Sequence, residues 1–200
     1  MEVLAESLLK FWLGELDEAG MVSAETSKKW FVKDELLDKS IARIYGSYLD
    51  TAGMGGMDRW AADPKALTAL IILLDQFPRN IYRGLEKAYI YDKKALALSK
   101  HSIEKELYKT LPSMYAFFHF LPLMHSESLE DQDLCIEKLK ELQENSEPSV
   151  RDFLAASIDS AHKHREIIAR FGRFPHRNKA LYRESTKEEV EFLTLPGSSF

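Results

Sequence analysis

The stretch DPKALTALIILLDQFPRN, residues 63–80, decides the reading of this chain. Asp63 offers a side-chain acceptor to cap a helix, and Pro64 suits the first helical position, where its missing N–H costs nothing. Over 64–77 the residues Leu67, Leu70, Ile71, Ile72, Leu73 and Leu74 leave almost no polar face. A helix that is apolar all round is a buried one. Its longest apolar run, ALIILL at 69–74, is far too short to span a bilayer. The stretch therefore predicts the central helix of a globular core. It closes on Asp75 and Gln76, with Pro78 as the stop. A carboxylate at a helix C-terminus opposes the macrodipole and needs a cation. Arg79 lies four residues on and Arg83 eight, so an Asp75–arginine pairing, at least partly buried, is expected.

Outward from this stretch the chain keeps a helical period. Leu4, Leu8, Phe11 and Trp12 share one face, as do Leu37, Ile41, Ile44, Tyr45 and Tyr48. A further helix is expected from about Lys87 to Lys100. Pro112 opens an aromatic segment expected to end at Pro122, and SLEDQDLCIEKLKELQEN is amphipathic. A long helix starts at Pro148 and ends at Gly172, a suitable C-terminal glycine. Ser185 and Glu188 have capping-box spacing before EEVEFLTL. No segment alternates with period two between hairpin turns. The expectation is an all-α fold: one compact domain over 1–200, about eight or nine helices, with a Gly-rich linker near 51–60.

Bulk properties narrow the setting. Two hundred residues suffice for one sizeable core, and the net charge of −5 repels nucleic acid and anionic membranes as a whole. A single cysteine, Cys135, forbids an intrachain disulfide and suits a reducing compartment. Glu2 and Glu6 interrupt the N-terminal segment, which lacks the form of a secretion signal. A cytoplasmic protein without a membrane anchor is the expectation.

The charge is unevenly spread. Between His162 and Arg183 there are seven Lys/Arg against the single acid Glu166, so this segment carries +6 and the remainder −11. Within it, RFGRFPHRN at 170–178 mixes core-forming Phe171 and Phe174 with Arg170, Arg173 and Arg177. His164 and Arg165 fall, by spacing, inside an apolar helical stripe, where they need acids, carbonyls or a ligand. QFPRNIYR at 76–83 and RFPHRNKALYR at 173–183 echo one another: Phe-Pro, then Arg-Asn, then Tyr-Arg. Each Phe can anchor a turn in the core while Arg and Asn are presented from it. If adjacent, the two turns converge several guanidinium groups on one cleft.

The segments LIILLDQFPRNIYRG, LPLMHSE, HREIIARFGRFPHRN and RESTKEE, with FWLGE at 11–15 and KKWF at 28–31, together resemble a mainly bacterial family, domain-of-unknown-function family nine-two-four. The resemblance spans nearly the whole chain. It implies an all-helical fold with tetratricopeptide-like antiparallel packing, although no 34-residue repeat consensus is legible in the residues. It supplies no activity. Relatives usually carry glycine where this chain has Tyr182, which implies a reshaped turn before the last helix.

Several chemistries find no pattern here. His162, His164 and Glu166 splay around a helix, HExxH is absent, and no metal site is expected. Cys135 sits between Leu134 and Ile136 as a packing residue, no nucleophile elbow appears, and no cofactor is expected. Nucleic-acid binding is not favoured, because the basic segment is short and the rest acidic. The favoured reading is a small anionic ligand, bearing phosphate or carboxylate, in an Arg/His-lined cleft. Arg79, Arg83, Arg165, Arg173 and Arg177 supply charge, and Asn80 and Asn178 orient the ligand. An alternative makes the same cleft catalytic, with His164, His176 or His125 as general acid or base and Asp75 or Glu127 orienting the ring. In that version His164 is the first choice, its pKa depressed by Arg165 and Arg170. A third reading is an adaptor that holds an acidic peptide of a partner on a concave helical face.

Overall fold

The computed structural model describes residues 2–199, and all regular structure in them is helical. Helix α1 (Val3–Leu13) buries Ala5, Leu8, Leu9, Trp12 and Leu13 on one face. Ser23 caps α2 (Ala24–Phe31), and Asp34 caps α3 (Glu35–Gly53) through Leu36 and Leu37 N–H. The stretch after α3 carries its own core side chains, since Met57 and Trp60 are buried. Asp63 then accepts from Ala66 N–H at 2.8 Å and opens α4 (Pro64–Ile71). Every residue from Ala66 to Asp75 is buried, and α1, α6 (Asp92–Glu104) and α7 (Ser113–Met124) pack around α4.

The end of this central helix differs from the sequence expectation. Pro78 does not stop it. A π turn at Ile72–Gln76 leads directly into α5 (Phe77–Ile81), with Phe77 N–H donating to Ile72 O, five residues back. A proline in an ordinary α-helix would clash with the carbonyl four residues earlier. The wider turn moves that carbonyl aside and re-aims the side chains that follow, as π bulges do at functional sites. Asp75 thus lies inside a continuous rod, with no helix end beside it. Pro122 likewise sits inside α7, which runs on to Met124 because Leu123 and Met124 are buried in the core.

The remaining helices are α8 (Leu129–Glu144), α9 (Pro148–Phe171) and α10 (Lys187–Phe192). The helix expected from Lys87 starts instead at Asp92, after a 3-10 turn at Glu86–Tyr89. Helix α9 ends as expected on Gly172, in the left-handed conformation at φ 68°. The final capping box lies one residue later than expected: Thr186 and Glu189 form it, because Glu189 turns inward to Arg173 and Asn178. With α4 and α5 counted as one rod, the described residues form nine helices.

Helices adjacent in sequence pack on one another, α6 on α7, α7 on α8 and α8 on α9. Three residues link α8 to α9 and four link α7 to α8, so these neighbours run antiparallel. This order accords with tetratricopeptide-like packing. One buried cluster runs from Ala5 to Ala161 and makes the chain a single domain. Ile167, Ile168 and Phe174 form a smaller cluster with Phe171 and Phe192 where α10 covers the end of α9. Among the described residues no helix is long and apolar enough to cross a membrane.

Candidate functional site

The two echoed turns meet. A cavity of about 500 Å³ lies between them, with Arg79, Asn80 and Arg83 on one side and His176 and Arg177 on the other. Helix α7 adds Phe117, Phe118, Leu121, Met124 and His125, and α9 adds Ser160 and His164. The end of α2 closes the rim with Trp30, Phe31, Val32 and Lys33.

Each turn is fixed by a phenylalanine with no exposed surface. Phe77 packs on Trp12 and Tyr45, with ring centroids at 5.3 and 5.0 Å. Phe174 packs edge-on against His164 at 5.6 Å. The local backbones nevertheless differ, α-helical after the π turn in the first and 3-10 at Pro175–Arg177 in the second. Their equivalence is one of placement only.

Carboxylates outside the lining position the cations. Asp92, at the start of α6, takes Arg79 bidentately at 3.0 and 2.9 Å. Its Oδ2 also lies 3.5 Å from Arg177. Asp38 on α3 accepts from Asn80 at 2.8 Å and from Arg83 at 2.6 and 3.0 Å. Arg177 is only 6% exposed, and its Nε is buried without a hydrogen-bond partner among the described residues. Its guanidinium stacks over Phe174 at 4.4 Å and Tyr89 at 4.8 Å. Burial and neighbouring Arg79 press its pKa down to about 10, against the pull of Asp92.

The expected Asp75–Arg79 ion pair is present at 3.4 Å, with Asp75 almost fully buried. Asp75 also accepts from His125 Nδ1–H at 2.8 Å and from Gln76 at 2.7 Å. Burial alone would raise its pKa. His125 and Arg79 outweigh that and hold the carboxyl well below the usual range. Burial and Arg79 in turn push the His125 pKa down, although Asp75 opposes them. At neutral pH the pair is a carboxylate beside a neutral imidazole whose proton is fixed on Nδ1.

His164 and His176 line the same cavity. His164 Nδ1–H donates to Ser160 O at 2.8 Å. Asp75 therefore orients His125 and not His164. The low His164 pKa, about 3, comes from burial first, then from His125, Arg177 and His176. Arg165 and Arg170, expected to cause it, are not among the leading causes: they pair with Asp133 and Glu188 toward the surface. Burial and Arg177 lower His176 to about 4.

Three residues expected in the site lie elsewhere. Arg165 is held on the surface by Asp133. Arg173 donates bidentately to Glu189, from Nε at 2.7 Å and Nη2 at 2.8 Å, and its Nη2 also donates to Glu184 O. Asn178 is buried behind the second turn, donating to Ser185 and Glu189 and accepting from Arg183. Glu127 does not orient a histidine. It accepts from Phe174 N–H at 2.8 Å and from Arg183 at 2.7 and 2.9 Å, clamping the second turn to the loop after α7. Sequence reasoning missed Asp92, Asp38, Tyr89 and Trp30. Asp92 and Asp38 resemble ordinary first-turn acids, and no local spacing ties them to arginines 13 and 45 residues away. Tyr182 has φ 54° and is 85% exposed, so the turn before α10 takes a left-handed backbone of the kind that favours glycine.

Among the described residues no group of three His, Cys, Asp or Glu side chains is placed to hold a metal ion. What the arrangement can do is present guanidinium groups to an oxyanion and a neutral imidazole to a proton.

A family model described as a bacterial protein of unknown function (DUF924) matches residues 8–197. A solved structure of a protein of unknown function, ATU0120 from Agrobacterium tumefaciens, is similar at 29% identity and a TM-score of 0.79. The likeness covers 95% of this chain and 96% of that one. No curated protein matches. From motifs to fold, the chain belongs to the bacterial family of unknown function DUF924.

Proposed function

We propose that this protein binds a small anion, bearing carboxylate or phosphate, in the cavity between the two arginine turns. One observation carries the reading: Lys33, Arg79, Arg83 and Arg177 line the cavity, and no Asp or Glu among the described residues does. Asp38, Asp75 and Asp92, which hold these arginines or the histidine beside them, lie outside the lining. A ligand therefore meets donors first and carboxylates only through them. Guanidinium groups suit such an oxyanion, and those already fixed by a carboxylate lose less freedom on binding. A cytoplasmic setting, consistent with one unpaired and buried cysteine, belongs to the same reading.

The test is thermal stability with and without acetate, inorganic phosphate and sulfate. A bound anion at one hundred times its Kd stabilises by about 2.7 kcal/mol. That raises the Tm of a chain this long by about 5–10 °C. Arg177→Met keeps the buried stem and removes the charge, and should abolish the shift. An unchanged shift in Arg177→Met would place the anion elsewhere.

A second reading is favoured by the His125–Asp75 bond. A buried carboxylate that fixes the proton on Nδ1 leaves Nε2 as the basic nitrogen. Catalysis in the same cavity would then use His125 as the general base and Asp75 as its positioning residue. His125 takes the leading place from His164, because the acceptor behind His164 Nδ1–H is the neutral carbonyl of Ser160 and not a carboxylate that would stabilise a protonated ring.

A further inference from the structure

The cavity has two unlike ends, and helix α7 shows why. Phe117, Leu121 and His125 follow at successive turns along one face of the helix, and all three line the cavity. Eight residues at about 1.5 Å each separate the aromatic end from the imidazole by roughly 12 Å. At the His125 end the wall is Arg79, Arg177 and His164. At the Phe117 end it is Phe118, Leu121 and the aromatic pair at the close of α2. Trp30 meets Phe118 edge-on at 4.9 Å, and Phe31 is 69% exposed at the rim. A free inorganic anion would occupy the cationic end and leave the stretch of the cavity walled by Phe117, Phe118, Leu121, Trp30 and Phe31 unfilled, with Lys33 beside it at the rim. Small-molecule sites that join an apolar wall to a few convergent polar groups take ligands of the same two-part character.

We propose that the ligand is an amphipathic anion: a carboxylate or phosphate monoester head at Arg177 and Arg79, and an apolar body reaching up to roughly 12 Å toward Phe117, Leu121 and Trp30. This rests on the anion reading and adds the ligand class to it. The arginines set the head, and the length and width of the apolar end select the body.

The experiment compares matched probes by isothermal titration and tryptophan emission. Acetate and inorganic phosphate carry the head alone, hexanoate and hexyl phosphate add a tail, and hexanol has the tail without the charge. Hexanoate should bind on the order of 100-fold more tightly than acetate, at about fourfold for each buried methylene. The carboxylate and phosphate arms tell which head the arginines prefer. Tailed probes should change tryptophan emission, and Trp30→Phe should remove most of that change. Leu121→Asn should lower the hexanoate-to-acetate affinity ratio at least tenfold. Phe31→Ala, at an exposed position that does not threaten folding, should lower it several-fold. Hexanoate binding no more tightly than acetate overturns the two-part ligand and leaves the anion reading standing. Hexanol binding as tightly as hexanoate overturns the anion reading itself, and binding of none of the probes overturns both.

Discussion

His125 donates its Nδ1 proton to Asp75 Oδ1 at 2.8 Å, across fifty residues of sequence. Asp75 is 1% exposed and also faces Arg79 at 3.4 Å, so one buried carboxylate holds a base and a cation of the same cavity. The bond depends on the π turn, which keeps Asp75 inside a continuous helix while Arg79 is turned toward the cavity.

Asp75→Asn should therefore be costly. It removes the carboxylate from a buried pair and leaves the Arg79 charge less compensated. A loss of about 3–5 kcal/mol in urea denaturation is expected. The His125 pKa should fall further, since Asp75 raises it in the native protein, and an NMR titration of the ring would follow this. A loss under 1 kcal/mol would show that Asp92 alone carries Arg79.

Stability should fall as the pH drops below 6.5. Burial holds His119 at about 3, His164 at about 3 and His176 at about 4, against 6.5 in an unfolded chain. Between those limits the unfolded chain binds more protons than the native one. The contribution is thus intact above pH 6.5 and is lost progressively toward pH 4 for His176 and pH 3 for His119 and His164. Each neutral histidine contributes a slope of up to about 1.4 kcal/mol per pH unit. A combined loss of about 2–4 kcal/mol between pH 6 and pH 5 is expected from denaturation at the two pH values. Calorimetry in two buffers should show net proton uptake on unfolding near pH 5.5.

Glu127→Gln should unclamp the second turn. Glu127 accepts from Phe174 N–H and from both terminal nitrogens of Arg183. Losing its charge should cost about 2 kcal/mol, the range for hydrogen bonds to charged groups. Because Arg177 rides on that turn, stabilisation by phosphate should shrink in the same variant. Thermal scans with and without phosphate separate the two effects.

Tyr182→Gly should stabilise the protein. Tyr182 is held at φ 54°, where a Cβ is strained, and its ring is 85% exposed. Relief of strain less the added backbone freedom leaves about 0.5–1 kcal/mol. A rise of about 2 °C in Tm is the expected measurement.

Much of the fold was legible because it is local. Periodic apolar residues, Asp63 before Pro64, and Gly172 after Phe171 each act within one or two helical turns, so α4 and α9 could be read from the chain. The errors arose where packing outvotes local preference. Pro78 and Pro122 lie inside helices because a π turn makes room for the first and buried neighbours hold the second.

By itself the sequence determined a helical chain with one buried central helix and two similar Phe-Pro turns rich in arginine. Only the tertiary structure decided which of those cations share a cavity. Arg79 and Arg177 converge on Asp92, whereas Arg165 and Arg173 meet Asp133 and Glu189 outside it. The histidine roles were likewise set in three dimensions, with Asp75 reaching His125 and Ser160 O taking His164. Helical periodicity is a property of neighbours along the chain. Charge pairing is a property of neighbours in space, and no spacing in the sequence records which acid a long arginine side chain will reach.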